Sequence, residues 1–159
     1  MRVLLAIAVG GMIGATLRYK LATLIHVPAG HFPWATFWTN VSGSLILGFL
    51  LVLLIERFPP TRYARAFAGT GVLGAYTTFS TFSVETDVLV KDGHAGVAGA
   101  YVVGSLVVGL GAAASGVVLA PALREAYPGL PLVVGDGAGQ NAAELFSQLL
   151  WSMAGAPLK

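Results

Sequence analysis

Cysteine is missing from all 159 positions, so disulfides and thiolate metal sites are excluded. Charge is scarce as well: nine Lys or Arg and seven Asp or Glu make up 10% of the chain, against about a quarter in soluble domains. The basic residues are too few and too scattered to form a nucleic-acid surface, despite a net charge of +2 and a pI near 9.2. A catalytic constellation is also lacking. His26, His31 and His94 fall in connecting segments, no serine sits in a nucleophile elbow, and no glycine-rich turn from strand to helix is there to cradle phosphate. The residues give no sign of an enzyme. What remains is 56% hydrophobic, with a mean hydropathy of +0.79, and a water-soluble fold of that composition would aggregate.

The few ionisable residues divide the chain into apolar stretches that can be measured against the roughly 20 residues needed to cross a bilayer. The first runs from Val3 to Leu17 and reaches spanning length only by borrowing Arg2 and the Leu21 to Ile25 segment around Arg18. The others run from Phe32 to Ile55, Ala66 to Val84 and Ala95 to Leu123. Long uninterrupted runs fit helices rather than the alternating strands of a barrel, so the expectation is an all-α membrane protein of four transmembrane helices. The first stretch is read as a span rather than a cleaved signal peptide, because its core is glycine-rich and no soluble mature domain follows. Short connections at His26 to His31, Glu56 to Arg65 and Lys91 to His94 carry the prolines and glycines that end helices.

Residues 1–125 thus form the membrane domain and 126–159 a tail rich in proline and glycine. In the tail, Asn141 and Glu144 can pair as a capping box for a short helix whose Leu145, Phe146, Leu149, Leu150 and Met153 share an apolar face. Four spans put both termini on one side of the membrane. Arg2, Arg57, Arg62, Arg65 and Arg124 then lie opposite Arg18, Lys20 and Lys91, a slight positive-inside bias. Such a bias fits one fixed orientation, and equally a chain that inserts both ways and pairs with an inverted copy of itself.

Polar or small residues are informative inside a span, where Leu, Ile, Val or Phe is the default. The third span reads GTGVLGAYTTFSTFSVE from Gly69, with three glycines in six residues and then Thr77, Thr78, Ser80, Thr81 and Ser83 before Glu85. It is a poor continuous helix, expected to break near its middle where freed carbonyls face protein, a cavity or a cation. Close helix packing is the alternative use of those glycines. Phe79 and Phe82, at i and i+3, share a face, and their electropositive ring edges can offer C–H dipoles to a small anion without a trapping charge. In the second span Asn40 must find a partner or line a wet path, and Thr36 lies one turn before it, with Ser42 and Ser44 just beyond. Tyr101 and Ser105 add hydroxyls one turn apart on the fourth span. Arg18 can snorkel, fix a helix junction or draw anions to a vestibule, and Glu85, just past the third span, is expected to pair with Arg18 or a basic loop residue.

Three motifs carry a resemblance: GGMIGATLRY from Gly10 to Tyr19, NVSGS from Asn40 to Ser44 preceded by Thr36, and TTFSTFSVE from Thr77 to Glu85. Over roughly residues 3 to 123 the chain resembles the Fluc/CrcB fluoride channels. The resemblance implies an antiparallel, dual-topology homodimer in the cell (inner or plasma) membrane, with two parallel pores that export fluoride passively and relieve its toxicity. It also implies roles for particular residues. Phe79 and Phe82 would form a phenylalanine box, Asn40 would donate to fluoride, Thr36, Ser80, Thr81, Tyr101 and Ser105 would line a polar track, and Arg18 would sit at the vestibule. The Gly74 and Thr77 carbonyls of two copies would hold a structural sodium ion on the dimer axis. Ala75, Thr39 and Gly109 depart from the family pattern. The rival reading is a small four-helix proton-coupled multidrug exporter, which needs a membrane-embedded carboxylate that the first span lacks.

Overall fold

The computed structural model describes residues 1–56 and 62–126, all of whose regular structure is helical. Helix α1 runs over Arg2–Leu24 and α2 over Trp34–Glu56, each 23 residues long. At 1.5 Å per residue such a helix is about 35 Å long, enough for a hydrocarbon core of about 30 Å. A composite segment follows: an α-helical turn at Arg62–Ala64, a π-helix over Arg65–Leu73 and a second α-helical turn at Gly74–Tyr76. Helix α3 covers Phe79–Lys91 and α4 covers Ala95–Ala126. Among the described residues, α1, α2 and α4 are long and apolar enough to cross a membrane, while the stretch from Arg62 to Lys91 is built of shorter pieces.

Several boundaries differ from those read in the sequence. Helix α1 continues through Arg18 to Leu24, so Arg18 lies inside it rather than at its end, because no glycine or proline stands between Arg18 and Pro28. Likewise α3 carries on to Lys91, which places Glu85 in mid-helix rather than just beyond a span. The Arg57 to Thr61 connection, with Pro59 and Pro60, and the tail helix at Asn141 to Met153 lie outside the described residues.

Two helix pairs organise the molecule: α2 packs along α4, and α1 lies against the π-helical segment. The second contact depends on a missing side chain, since a Cβ on Gly14 would run into the Val72 carbonyl. Small residues of this kind let membrane helices approach to backbone contact. The core sits where α2, α3 and α4 meet, around Phe37, Val41, Leu89, Ala98 and the fully buried Tyr101, with Phe32 and Phe82 packed against it. Large apolar side chains such as Leu4, Met12, Leu51, Leu106 and Leu110 are exposed on the outside, as a lipid-facing surface requires. At the end of the bundle where α1 passes into α2, Gly30 takes a φ of +77°, and a Cβ there would press on the His94 imidazole.

Candidate functional site

Thr77 and Thr78 link the composite segment to α3 and are not helical: their backbones are extended, with φ, ψ of −74°, 159° and −150°, 119°. Extended residues beside a membrane helix need outside partners for their amides and carbonyls. Asn40 on α2 supplies them, since its Oδ1 accepts from the Thr78 N–H at 2.9 Å and its Nδ2 donates to the Thr78 carbonyl at 3.0 Å. Thr78 in turn caps α3, its Oγ1 accepting from the Thr81 N–H at 3.1 Å and donating to Thr81 Oγ1 at 2.9 Å. Ser80 Oγ lies 3.3 Å from the same hydroxyl.

This arrangement frees two carbonyls. In an uninterrupted helix the amides of Thr78 and Thr81 would point back at the carbonyls of Gly74 and Thr77. Here they are given to Asn40 Oδ1 and Thr78 Oγ1 instead. Gly74 and Thr77 line an open cleft of about 320 Å³ together with Asn40, Ser44, Thr78 and Phe79. An amide NH₂ carries two protons, so the clasp on Thr78 leaves Asn40 one that it does not use there.

One turn beyond the cap, Phe79 and Phe82 lie side by side, ring centroids 5.9 Å apart at 35°. The two differ in surroundings. Phe79 is 80% exposed on the single chain, while Phe82 packs on Tyr101 at 5.0 Å. Tyr101 is also held edge-on by Phe32 at 5.3 Å, and its hydroxyl donates to Glu85 Oε2 at 2.8 Å. Glu85 Oε1 accepts from Thr36 Oγ1 at 2.9 Å. Asn40 and Thr36, one turn apart on α2, therefore tie that helix to α3 at two successive turns.

The expectation that Glu85 pairs with Arg18 or a basic loop residue is thus corrected: both its oxygens are taken by neutral hydroxyls from α2 and α4. Sequence reasoning looked for a cation because an isolated carboxylate in a membrane needs one, and it missed that α2 and α4 bring two hydroxyls to the same point. Arg18 is half-buried on α1 and does not line the cleft. Ser105 Oγ is buried and is the one such side-chain atom without a hydrogen-bond partner among the described residues. Thr39, one of the departures from the family pattern, is buried with its hydroxyl donating to Ala35 O at 2.7 Å, so it costs the core no orphaned group. Lys91, at the exposed end of α3, donates to Asp87 at 2.6 Å.

Comparison with known proteins bears on this site. The family model described as CrcB-like protein, Camphor Resistance (CrcB), matches residues 5–117, which take in most of both helix pairs and every described residue of the cleft. Among similar proteins, fluoride-specific ion channel FluC 3 of Streptomyces avermitilis is 49% identical over 117 residues, 74% of this chain and 57% of the relative. FluC 2 of Nocardia farcinica is 45% identical over 117 residues, 74% of this chain and 81% of the relative. FluC of Nitrobacter winogradskyi is 40% identical over 115 residues, 72% and 91% respectively. The match therefore spans little more than half of the Streptomyces relative and most of the other two. Its apolar helices mark the chain as a multi-pass membrane protein, and by the extent of the match it belongs to the CrcB-like protein family.

Proposed function

We propose that this chain forms a fluoride-selective ion channel that lets fluoride leave the cell passively, down its gradient, across the inner or plasma membrane. The observation that carries the reading is the joining of an aromatic pair to a line of neutral donors: Phe79 and Phe82 follow directly on the Asn40–Thr78 clasp, with Ser80 and Thr81 on the same turn. Fluoride holds its water tightly, so a lipid-spanning path must replace those contacts. Ring edges, an amide proton and hydroxyls do so without a fixed positive charge that would hold the ion in place. The named relatives are fluoride-specific ion channels, which supports the same substrate. Nothing in the reading asks for enzymatic chemistry. The exporter alternative gains no support, since α1 holds no carboxylate.

The channel is a homodimer of two antiparallel copies, and the third membrane span is the composite segment and α3, broken at Thr77 and Thr78. The openness of the site supports this: Phe79 and the cleft over Gly74 and Thr77 lie bare on one copy, and a second copy would close them. A structural sodium ion fits the donor set. Carbonyl oxygens suit a hard cation, the Gly74 and Thr77 carbonyls have lost their helical amides, and two copies would bring four of them together. Such an ion would supply a fixed positive charge between the two pores.

The purified dimer in liposomes loaded with fluoride tests the reading, with an electrode following release after a potassium ionophore is added. Rapid fluoride release and retention of chloride are expected. Dimers that retain fluoride as firmly as protein-free liposomes would overturn it.

A further inference from the structure

A second cleft, of about 440 Å³, opens at the end of the bundle where α1 passes into α2 and runs down to the polar cluster on α3. Its lining includes His26 and His31 of the loop between α1 and α2, together with Thr36, Thr81 and Glu85. No other titratable side chain lines it. The parts of α1 and α2 that wall it contribute Ala22, Ile25, Ala35 and Thr36, and α3 contributes Glu85 as its one charged group. Lys91 and Asp87 lie farther along α3, where they neutralise one another at the surface. His94 of the α3–α4 turn packs on Gly30, whose positive φ sets the shape of the loop bearing both histidines.

We infer that this cleft is an anion-binding mouth of the conduction path, filled more readily when His26 and His31 are protonated. With both imidazoles neutral, the only formal charge in the cleft is the acidic side chain of Glu85, which disfavours an arriving anion. Protonation of both adds two positive charges at the rim, so the cleft becomes net attractive and its local anion concentration rises. His31 is oriented for this, because its Nδ1 lies 3.1 Å from the Ala29 carbonyl. Donation there by Nδ1–H leaves Nε2 as the nitrogen that takes up the proton and then presents an N–H. Both histidines are exposed and open to the solution on their own side of the membrane.

The inference rests on the channel reading for its ion, and two measurements separate their failures. The first is current through dimers in a planar bilayer under symmetrical fluoride at pH 7.5 and 5.5; current is chosen because neutral hydrogen fluoride carries none. The wild-type current is expected to rise about threefold on acidification, the size of a modest electrostatic focusing effect. In the double variant His26→Gln, His31→Gln the ratio between the two pH values falls to near one. A ratio as large in the variant as in the wild type would overturn the inference.

The second measurement is an NMR titration of the two imidazoles in detergent-solubilised protein, with sodium fluoride or sodium gluconate as the salt. An anion that binds beside the protonated rings must raise their titration midpoints, so fluoride is expected to move both to higher pH. Midpoints that coincide in the two salts would overturn the site. Absence of fluoride current in the wild type at both pH values would overturn the channel reading alone, and a fluoride-dependent midpoint would then still uphold the cleft as an anion site.

Discussion

Phe79 and Phe82 share one face of α3 yet have different neighbours, and that difference separates their packing from their chemistry. Phe82 is pressed on Tyr101 in the core, whereas Phe79 projects from the single chain with 80% of its surface free. Loss of a ring edge beside the ion removes an interaction of about 0.5–1.5 kcal/mol, or roughly a twofold to twelvefold change in rate. Phe79→Ile is therefore expected to slow fluoride release in liposomes by about that factor. Phe82→Ile is expected to slow release similarly and also to lower the melting temperature, because an aromatic contact in the core goes with it. Unchanged release in both variants would leave the rings as packing groups. Their pairing was legible in the sequence, because i and i+3 on a helix can only meet. The partners of Asn40, Thr36 and Glu85 were not legible: each was recognisable as polar and costly in lipid, but which group satisfied it depended on how α2, α3 and α4 came together.

At the scale of the element, the approach of α1 to the π-helical segment turns on hydrogen-sized side chains. A methyl on Gly14 would have to displace the Val72 backbone, which no rotamer change can avoid. Gly14→Ala is expected to destabilise the protein by about 1–3 kcal/mol, the usual cost of overpacking, seen as a lower melting temperature in detergent. Gly99 on α4 has nothing within 4 Å of its missing Cβ, so Gly99→Ala serves as the matched control. There the better helix propensity of alanine, worth up to about 1 kcal/mol, is expected to leave stability unchanged or raised. Equal losses in the two variants would show that the glycines of α1 are not set by contact. The order of the long helices followed from apolar run length, so α2 and α4 lie nearly where the hydrophobic stretches predicted them. The glycines from Gly69 marked the segment as irregular, but nothing in the sequence marked the nine residues Arg65–Leu73 as a π-helix.

Over the whole molecule, the parts argued to matter end well before the chain does. The family match stops at residue 117, helix α4 is described as far as Ala126, and the residue of α4 that donates to Glu85 is Tyr101. Among the described residues, those that line the two clefts fall between Ala22 and Leu89. The described residues that donate to the path or wall either cleft all lie within the family match. Removing residues 141–159 is therefore expected to leave the rate and selectivity of fluoride release unchanged in liposomes carrying equal amounts of dimer. Two readouts keep assembly apart from conduction: elution volume on size exclusion reports the dimer, and initial release per dimer reports the pore. A truncated chain that still elutes as a dimer but conducts poorly would mean that the tail reaches back to the path. One that no longer elutes as a dimer would instead give the tail a part in holding two copies together, which the open cleft over Gly74 and Thr77 does not call for.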